Sequence, residues 1–432
     1  MLSMKKNGLI LFISTWCGII SAQDITYNKH IAPIIKNHCL ACHRQNGAAP
    51  FSLETYDQVC KNNKLIAYVV ANHIMPPWSL DTSEHLFKNE RVLSPGEINT
   101  ISTWIKNTMP VGSGKPVKLK YKAPARDAVK PDMIIKFPKP YKISADNKDL
   151  LVTYLQKIDV GEDKYLSKIE IVPGNKRLLH HCRVDFDTSG GVWTKDVDKD
   201  GFIGTLQIPE LPMNGPVLKF VGTYVPGLAP YEYPEWAGLK LFRKMTIMVG
   251  LHYSSTSIPE YDDTEVRLYF CKKKPEREVF NRSDLVVFYR IVDLGLYVPK
   301  NTIYCIDQKS EPLVEDISLI GIQPHMHLLG QTMNINAITP RGDTIDLCRV
   351  AKWNYKEQEN YYYKKLVKIP SGSVFEVHAC YDNTVNNTQN PFFPPRDVYF
   401  YLGMTSENEM IEYYIQYLKY QDGDETKDTI DK

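Results

Sequence analysis

A small helical unit followed by two antiparallel β units is the fold class that the sequence predicts, on three observations. Near the N-terminus, apolar residues recur at helical spacing on either side of a Cys-x-x-Cys-His run. Beyond about residue 130 the chain becomes short Val/Ile/Thr runs among most of its 27 Tyr, 15 Phe and 28 Pro, with turn signals at about the 8–12-residue spacing of β-sandwiches. A charged break from Lys272 to Glu278 (KKKPERE) then divides this remainder near residue 280, giving two β units of roughly 150 residues each. The total of 432 residues fits several domains and excludes a lone small module. With 43% apolar and 24% charged residues, the composition excludes a disordered chain and a polytopic membrane protein. The charge balance is 52 basic against 50 acidic residues with no long basic block, so nothing directs the chain to nucleic acid or an anionic membrane.

Taken in order, residues 1–22 read as a signal peptide. Lys5 and Lys6 form a positive start, Leu9 to Ile20 an apolar stretch too short to span a bilayer, and Ser21 and Ala22 a small-residue cleavage site. The chain is therefore expected to be exported, to a periplasm or cell envelope, without a stable membrane span; Trp16 before Cys17 makes a poor lipoprotein signal. Residues 23–112 form the helical unit. Ile31, Ile34 and Ile35 lead into the cysteine motif. After it, Ser94, Pro95 and Glu97 supply an N-cap, a first-turn proline and a capping-box glutamate ahead of Ile98, Ile101 and Ile105, with Pro110 as the stop. Residues 113–130, rich in Gly, Pro and Lys, read as a linker mobile enough to let the helical unit reorient. The β units then span 131–279 and 280–420, and residues 421–432 form a polar tail.

The motif NHCLACH places Cys39 and Cys42 three residues apart and His43 next, the spacing of c-type haem attachment. Two thiols can each form a thioether to one porphyrin, and the following imidazole then reaches the iron. No second Cys/His pair follows at zinc spacing, and no βαβ pattern supports a redox dithiol. The sixth ligand is expected from HIMPPW, as Met75, with His73 as the rival. This segment resembles the haem c domain that precedes catalytic domains in exported bacterial proteins.

The histidines after the linker are unevenly placed. His180 and His181 are adjacent in KRLLHHCRVDF, His252 lies in MTIMVGLHYSS, His325 and His327 in GIQPHMHLLG, and His378 in VFEVHACYDN. On a strand, His325 and His327 share a face and can converge on one metal. His180 and His181 point to opposite faces unless a bulge or strand end turns one of them. Neither pair is specific alone. The set resembles the copper type II monooxygenases, the family of peptidylglycine alpha-hydroxylating and dopamine beta-monooxygenases. That resemblance implies two jelly-roll-like sandwiches holding two copper ions across a solvent gap. One copper would be held by His180, His181 and His252. The other, where O₂ reacts, would be held by the catalytic set His325, His327 and Met410, with Met404 as the rival thioether. His378 is left for a core or supporting role.

Imidazole binds both copper oxidation states, whereas a soft thioether favours Cu(I), so the resemblance implies hydroxylation of a C–H bond with O₂ and two electrons. The fused haem, a separate donor protein or a small reductant such as ascorbate would supply those electrons. In the family's peptide-amidating members an arginine and an asparagine help to bind substrate; Gln323 and Glu412 stand there in this chain, with Tyr414 kept. An acidic substrate would meet Glu412 and find no cation at Gln323, so the small organic substrate stays open. Two alternatives remain at this stage: an exported haem–copper electron-transfer or copper-handling protein without hydroxylase activity, and a double sandwich without metal. Among six further cysteines, sequence order favours pairing Cys182 with Cys271 and Cys348 with Cys380. DVDKDG offers Asp196, Asp198 and Asp200 at calcium-loop spacing, but Gln207 replaces the closing glutamate, so a solvated turn is expected.

Overall fold

The structure is a computed structural model that describes residues 25–83, 86–88, 90–121, 129–188, 199–203, 218–227, 230, 232–283, 297–355, 357–400 and 407–429. The signal-peptide reading, Met404, and Asp196, Asp198 and Gln207 of the acidic turn lie outside these residues. Asp200 of that turn pairs with Lys139 at 2.6 Å. Among the described residues, no helix is long and apolar enough to cross a membrane.

Among the described residues, the N-terminal part carries a π-helical turn (Tyr27–Ile31) and the helices α1 (Ala32–His38), α2 (Tyr56–Lys61), α3 (Asn63–Ala71) and α4 (Pro95–Lys106). The expected capping box opens α4: Ser94 Oγ accepts from Glu97 N at 3.2 Å, and Ser94 N donates to the Glu97 carboxylate at 2.8 Å. Thr55 and Gln58 form a second box at α2 that the sequence reading did not single out. Ile31, Ile35, Ile101 and Trp104 close a small core between α1 and α4. The first half of the linker is wound onto this unit rather than free. Asn28 Nδ2 donates to the Ser113 and Lys115 carbonyls, Asn28 Oδ1 accepts from Val117 N, and Leu119 is buried.

Most of the chain is β-sheet, as two sandwich domains require. The first half supplies β1 (Met133–Lys136), β2 (Tyr141–Ile143), β3 (Leu150–Asp159), β4 (Lys164–Val172), β5 (Leu179–Asp187), β6 (Phe202–Ile203), β7 (Leu218–Tyr224), β8 (Ala237–Leu241), β9 (Lys244–Tyr253), β10 (Glu260–Asp262), β11 (Glu265–Phe270) and β12 (Arg277–Ser283). The second supplies β13 (Tyr297–Val298), β14 (Ile303–Lys309), β15 (Ile317–His325), β16 (Gly330–Ile338), β17 (Thr344–Val350), β18 (Tyr361–Ile369), β19 (Val374–Asp382), β20 (Val398–Tyr399) and β21 (Glu412–Lys419).

One eight-stranded sheet, β1-β11-β4-β8-β12-β21-β15-β18, runs through both halves. A five-stranded sheet, β6-β3-β9-β5-β7, covers its first half and a four-stranded sheet, β14-β19-β16-β17, its second. Alternating burial along β16 and β19 marks sheets with one wet face, whereas β15 is buried over nearly its whole length. The segment after α3 joins the second core. Leu80 bridges Val350, Phe87 bridges Tyr363, and both side chains belong to that core. The helical unit is therefore docked by apolar burial, which the linker reading did not foresee.

The cysteine pairing corrects the expectation. Cys305 of β14 faces Cys380 of β19 in register and forms the disulfide, leaving Cys60, Cys182, Cys271 and Cys348 as thiols. Cys348 sits on β17, with β16 between it and β19, so roughly two strand spacings of about 4.8 Å keep it beyond bridging reach of Cys380. His378 is also corrected. It is not a core residue: its ring stands half-exposed beside the disulfide and its Nδ1 bonds Asp307 at 2.7 Å.

Candidate metal centres

The adjacent histidines owe their convergence to a bulge. Between β5 and β9, Leu179 pairs with Tyr253 and His181 with His252, so His180 is the extra residue of its strand. That irregularity turns the two rings to one side. Ring centroids lie 4.9 Å apart for His180 and His181, 4.1 Å for His180 and His252, and 4.8 Å for His181 and His252. One ring nitrogen from each falls within 4.8 Å of the others, and His180 Nδ1 and His181 Nδ1 are 3.2 Å apart. Burial, and then the neighbouring His252, His180, His325 and His327, hold the His181 ring well below the usual histidine range. Neutral rings keep the lone pairs that a metal needs.

The second pair stands at the end of β15, where His325 is in register with Glu412 of β21. Its two rings are 5.1 Å apart and perpendicular. His327 is held from three sides: Nδ1 donates to the Asn408 carbonyl at 2.8 Å, its N donates to Glu409 at 3.0 Å, and its carbonyl accepts from Trp353 Nε1 at 2.9 Å. With Nδ1–H committed to a carbonyl, Nε2 is the nitrogen left for a ligand. Glu409 also accepts from Leu329 N at 2.6 Å, and burial pushes its carboxyl up to about 8 against these backbone donors. Met410 follows it, buried, two residues before Glu412, and its carbonyl accepts from Tyr381 Oη at 2.8 Å.

Gln323, Glu412 and Tyr414 line the same strand pair, the first two buried and Tyr414 half-buried, with Gln323 opposite Tyr414. Gln323 itself supplies no cation, but one from another strand lies beside this place. Arg183 of β5 lies over the Tyr414 ring at 3.9 Å, is bound by Asp185 through two 2.7 Å hydrogen bonds, and acts on Glu412 and His325. Burial raises the Glu412 carboxyl to about 7 despite that guanidinium. Arg183 comes from the other β unit, which is why the spacing around Gln323 did not reveal it. Its signal was its position two residues after His181, on the same strand.

Between the two histidine sets stands Tyr355, which the sequence reading missed. Its ring is 5.5 Å from His252, 6.1 Å from His181 and 5.9 Å from His327, and its hydroxyl meets His252 Nδ1 at 3.3 Å. Gln358 bonds the His325 ring, donates through Nε2 to the Tyr355 carbonyl, and accepts at its own carbonyl from Thr223 of β7. The resemblance implied a solvent gap, but here a buried aromatic ring separates the two sets.

Residues 297–430 match the copper type II ascorbate-dependent monooxygenase, C-terminal domain. The match covers β13 to β21, including His325, His327 and Met410, and the likeness to the copper-dependent monooxygenases lies in that part of the chain. No curated protein matches. Among solved structures, the infectious bursal disease virus VP2 subviral particle aligns at 9% identity over 68% of this chain and 73% of its own, with a TM-score of 0.15. PBCV-1 VP54 aligns at 9% over 70% and 100%, with a TM-score of 0.18. A Bacillus subtilis oxalate decarboxylase aligns at 8% over 72% and 86%, with a TM-score of 0.10. Likenesses this distant carry no argument.

The first β unit, at Pro226, meets the cysteine motif through space. Cys39 and Cys42 are thiols in the turn that ends α1, and His43 N donates to the Cys39 carbonyl at 2.9 Å. Burial, and then Cys42, push the Cys39 thiol up to about 12. His43 Nδ1 donates to the Phe51 carbonyl at 3.1 Å, so Nε2 is the nitrogen that could ligate a metal. Met75 and His73 line a pocket of about 150 Å³ with Val70, Trp78, Leu93 and Ile98. Cys39, Cys42 and His43 are the donor set a c-type haem would use, but none of them lines the pocket of His73 and Met75, so neither distal ligand is assigned. Cys42 Sγ lies 3.8 Å from the Pro226 carbonyl, just past Tyr224, whose strand partner is Cys182 beside His181.

Proposed function

We propose that the chain is an exported copper-dependent monooxygenase that hydroxylates a C–H bond of a small organic substrate, with electrons fed through a haem c on Cys39, Cys42 and His43. The observation that carries this reading is the placement of His180, His181 and His252 against His325 and His327 with one side chain between them. Copper, when bound, would supply one-electron chemistry toward O₂. The balance is substrate C–H, O₂, two electrons and two protons, giving substrate C–OH and water. His180, His181 and His252 would hold one ion, and His325, His327 and Met410 the other. Gln323, Glu412 and Tyr414, with Arg183 beside them, form the polar wall against which a substrate would be oriented.

The haem reading rests on the motif and its setting. A single haem carries one electron at a time, so it must deliver twice per turnover, beside or in place of ascorbate or a donor protein. The contact of Cys42 with Pro226, close in sequence to the strand facing His181, supports a route within one chain. The docking of Leu80 and Phe87 supports a fixed arrangement in place of the mobile tether that the linker suggested. Mixing protein with reduced haem and oxidised copper, without O₂, tests the whole reading. Haem reoxidation at a rate independent of protein concentration, and absent from copper-free protein, is expected. Haem that stays reduced until a second protein is added would exclude the internal route. Reduced protein that shows no substrate-dependent O₂ uptake across a compound library would exclude the hydroxylase.

A further inference from the structure

The hydroxyl of Tyr355 faces the same nitrogen, Nδ1, of His252 whose counterparts in His180 and His181 meet each other. The separations are 3.3 Å for Tyr355 Oη to His252 Nδ1 and 3.2 Å for His180 Nδ1 to His181 Nδ1. Two donors held roughly 2.0 Å from one ion stand about 2.8 Å apart at the right angles of a tetragonal copper(II) site and about 3.3 Å apart at tetrahedral angles. Both contacts therefore have the separation of neighbouring ligands. Tyr355 is 5% exposed, and its ring is wedged by His252, His181 and His327, so its oxygen is directed inward by packing on both sides.

We propose that Tyr355 is the fourth donor of the centre formed by His180, His181 and His252, so that this centre is completed by a residue of the other β unit. The proposal rests on the copper reading above and adds a ligand to it. On binding a divalent ion, the phenol O–H bond breaks, the proton leaves to solvent, and the oxygen lone pair forms the bond to the ion. No electron changes hands in that step. An anionic oxygen favours the higher oxidation state, so this centre differs from the thioether-containing one in the direction expected of a site that holds charge rather than meets O₂.

The test is copper(II) titration of the full-length chain with ferric haem. Visible absorption is read as the copper-loaded minus the copper-free spectrum, so that the haem contribution cancels, and affinity is read by competition with a chelator. Wild-type protein should show a tyrosinate-to-copper charge-transfer band. Y355F keeps the ring and the packing, and should lose the band while copper at this centre weakens by about 10–100-fold. Y355H replaces one donor with another, and should recover affinity without the band. A Y355F spectrum like that of the wild type, or weaker binding with no band in either protein, would overturn the ligand role and leave only a hydrogen bond to His252. A wild-type chain that binds no copper would instead overturn the monooxygenase reading itself.

Discussion

Arg91 and Glu359 meet in a two-pronged ion pair, with one arm at 3.0 Å, and the carboxylate end is only 2% exposed. The guanidinium also lies over Trp78, and Glu359 follows Gln358, which bonds His325. The helical unit is thus pinned to the segment that carries Tyr355 and Gln358. Glu359→Gln should loosen this seat while leaving haem and both copper sites loaded. Haem reoxidation in the stopped-flow experiment should slow at least about tenfold, and Arg91→Ala should do more, because it leaves a buried carboxylate without its cation. Unchanged rates in both variants would show that docking rests on Leu80 and Phe87 alone.

The haem itself has a direct check. Denatured chain should keep its haem absorbance through acid–acetone extraction, because thioethers to Cys39 and Cys42 survive it; colour lost to the solvent phase rules out covalent attachment. Met75→Ala should lower the reduction potential with the haem retained. An unmoved potential transfers the distal role to His73, which lines the same pocket.

Two coppers of unequal ligation should separate by mutation. Met410→Ala should weaken Cu(I) at the His325 and His327 site by at least about tenfold and abolish turnover. His252→Ala should empty the other site. His378→Ala is the control and should retain both metals, since its half-exposed ring sits beside the Cys305–Cys380 bridge. Metal analysis giving a single copper in the wild type would contradict the assignment.

Acid should unfold the molecule partly through Asp424. This buried carboxylate takes two 2.8 Å bonds from Arg277 and one of 2.6 Å from Ser318. Burial alone would raise it, but these donors override burial and hold it well below the usual carboxylate range. A carboxyl depressed in the folded state contributes its full stability above the unfolded pKa of about 4, and that contribution drains away as the pH falls below it. Asp424→Asn should therefore cost about 3–5 kcal/mol near neutrality. Melting temperatures followed from pH 7 to 2 should show the gap between variant and wild type narrowing below about pH 4. A gap constant across that range would assign the loss to packing.

What could be read in the sequence was local. The Cys39-Cys42-His43 spacing, the Ser94–Glu97 box and the need for a bulge or strand end at His180 each depend on neighbours within a few residues, and the box and a bulge at His180 appear in the fold. The missed features come from pairing of distant strands. Cys305 finds Cys380 because β14 and β19 are in register, and Arg183 reaches Glu412 because β5 passes β21. Tyr355 lies in an irregular connection with no periodicity to mark it. The docking of Leu80 and Phe87 was hidden because the two residues look like ordinary members of the helical unit.

Strand β12 has a consequence for anyone who would divide this protein. Its first residues run parallel to β8, and its last run antiparallel to β21, so a single strand belongs to both halves. A cut at the charged stretch before it would strip β8 of its neighbour and leave unpaired amides and carbonyls along a buried edge. Half-molecules made that way would be sticky rather than merely inactive, and the intact chain should melt as one body. Its two chemical compartments would thus be inherited and lost together.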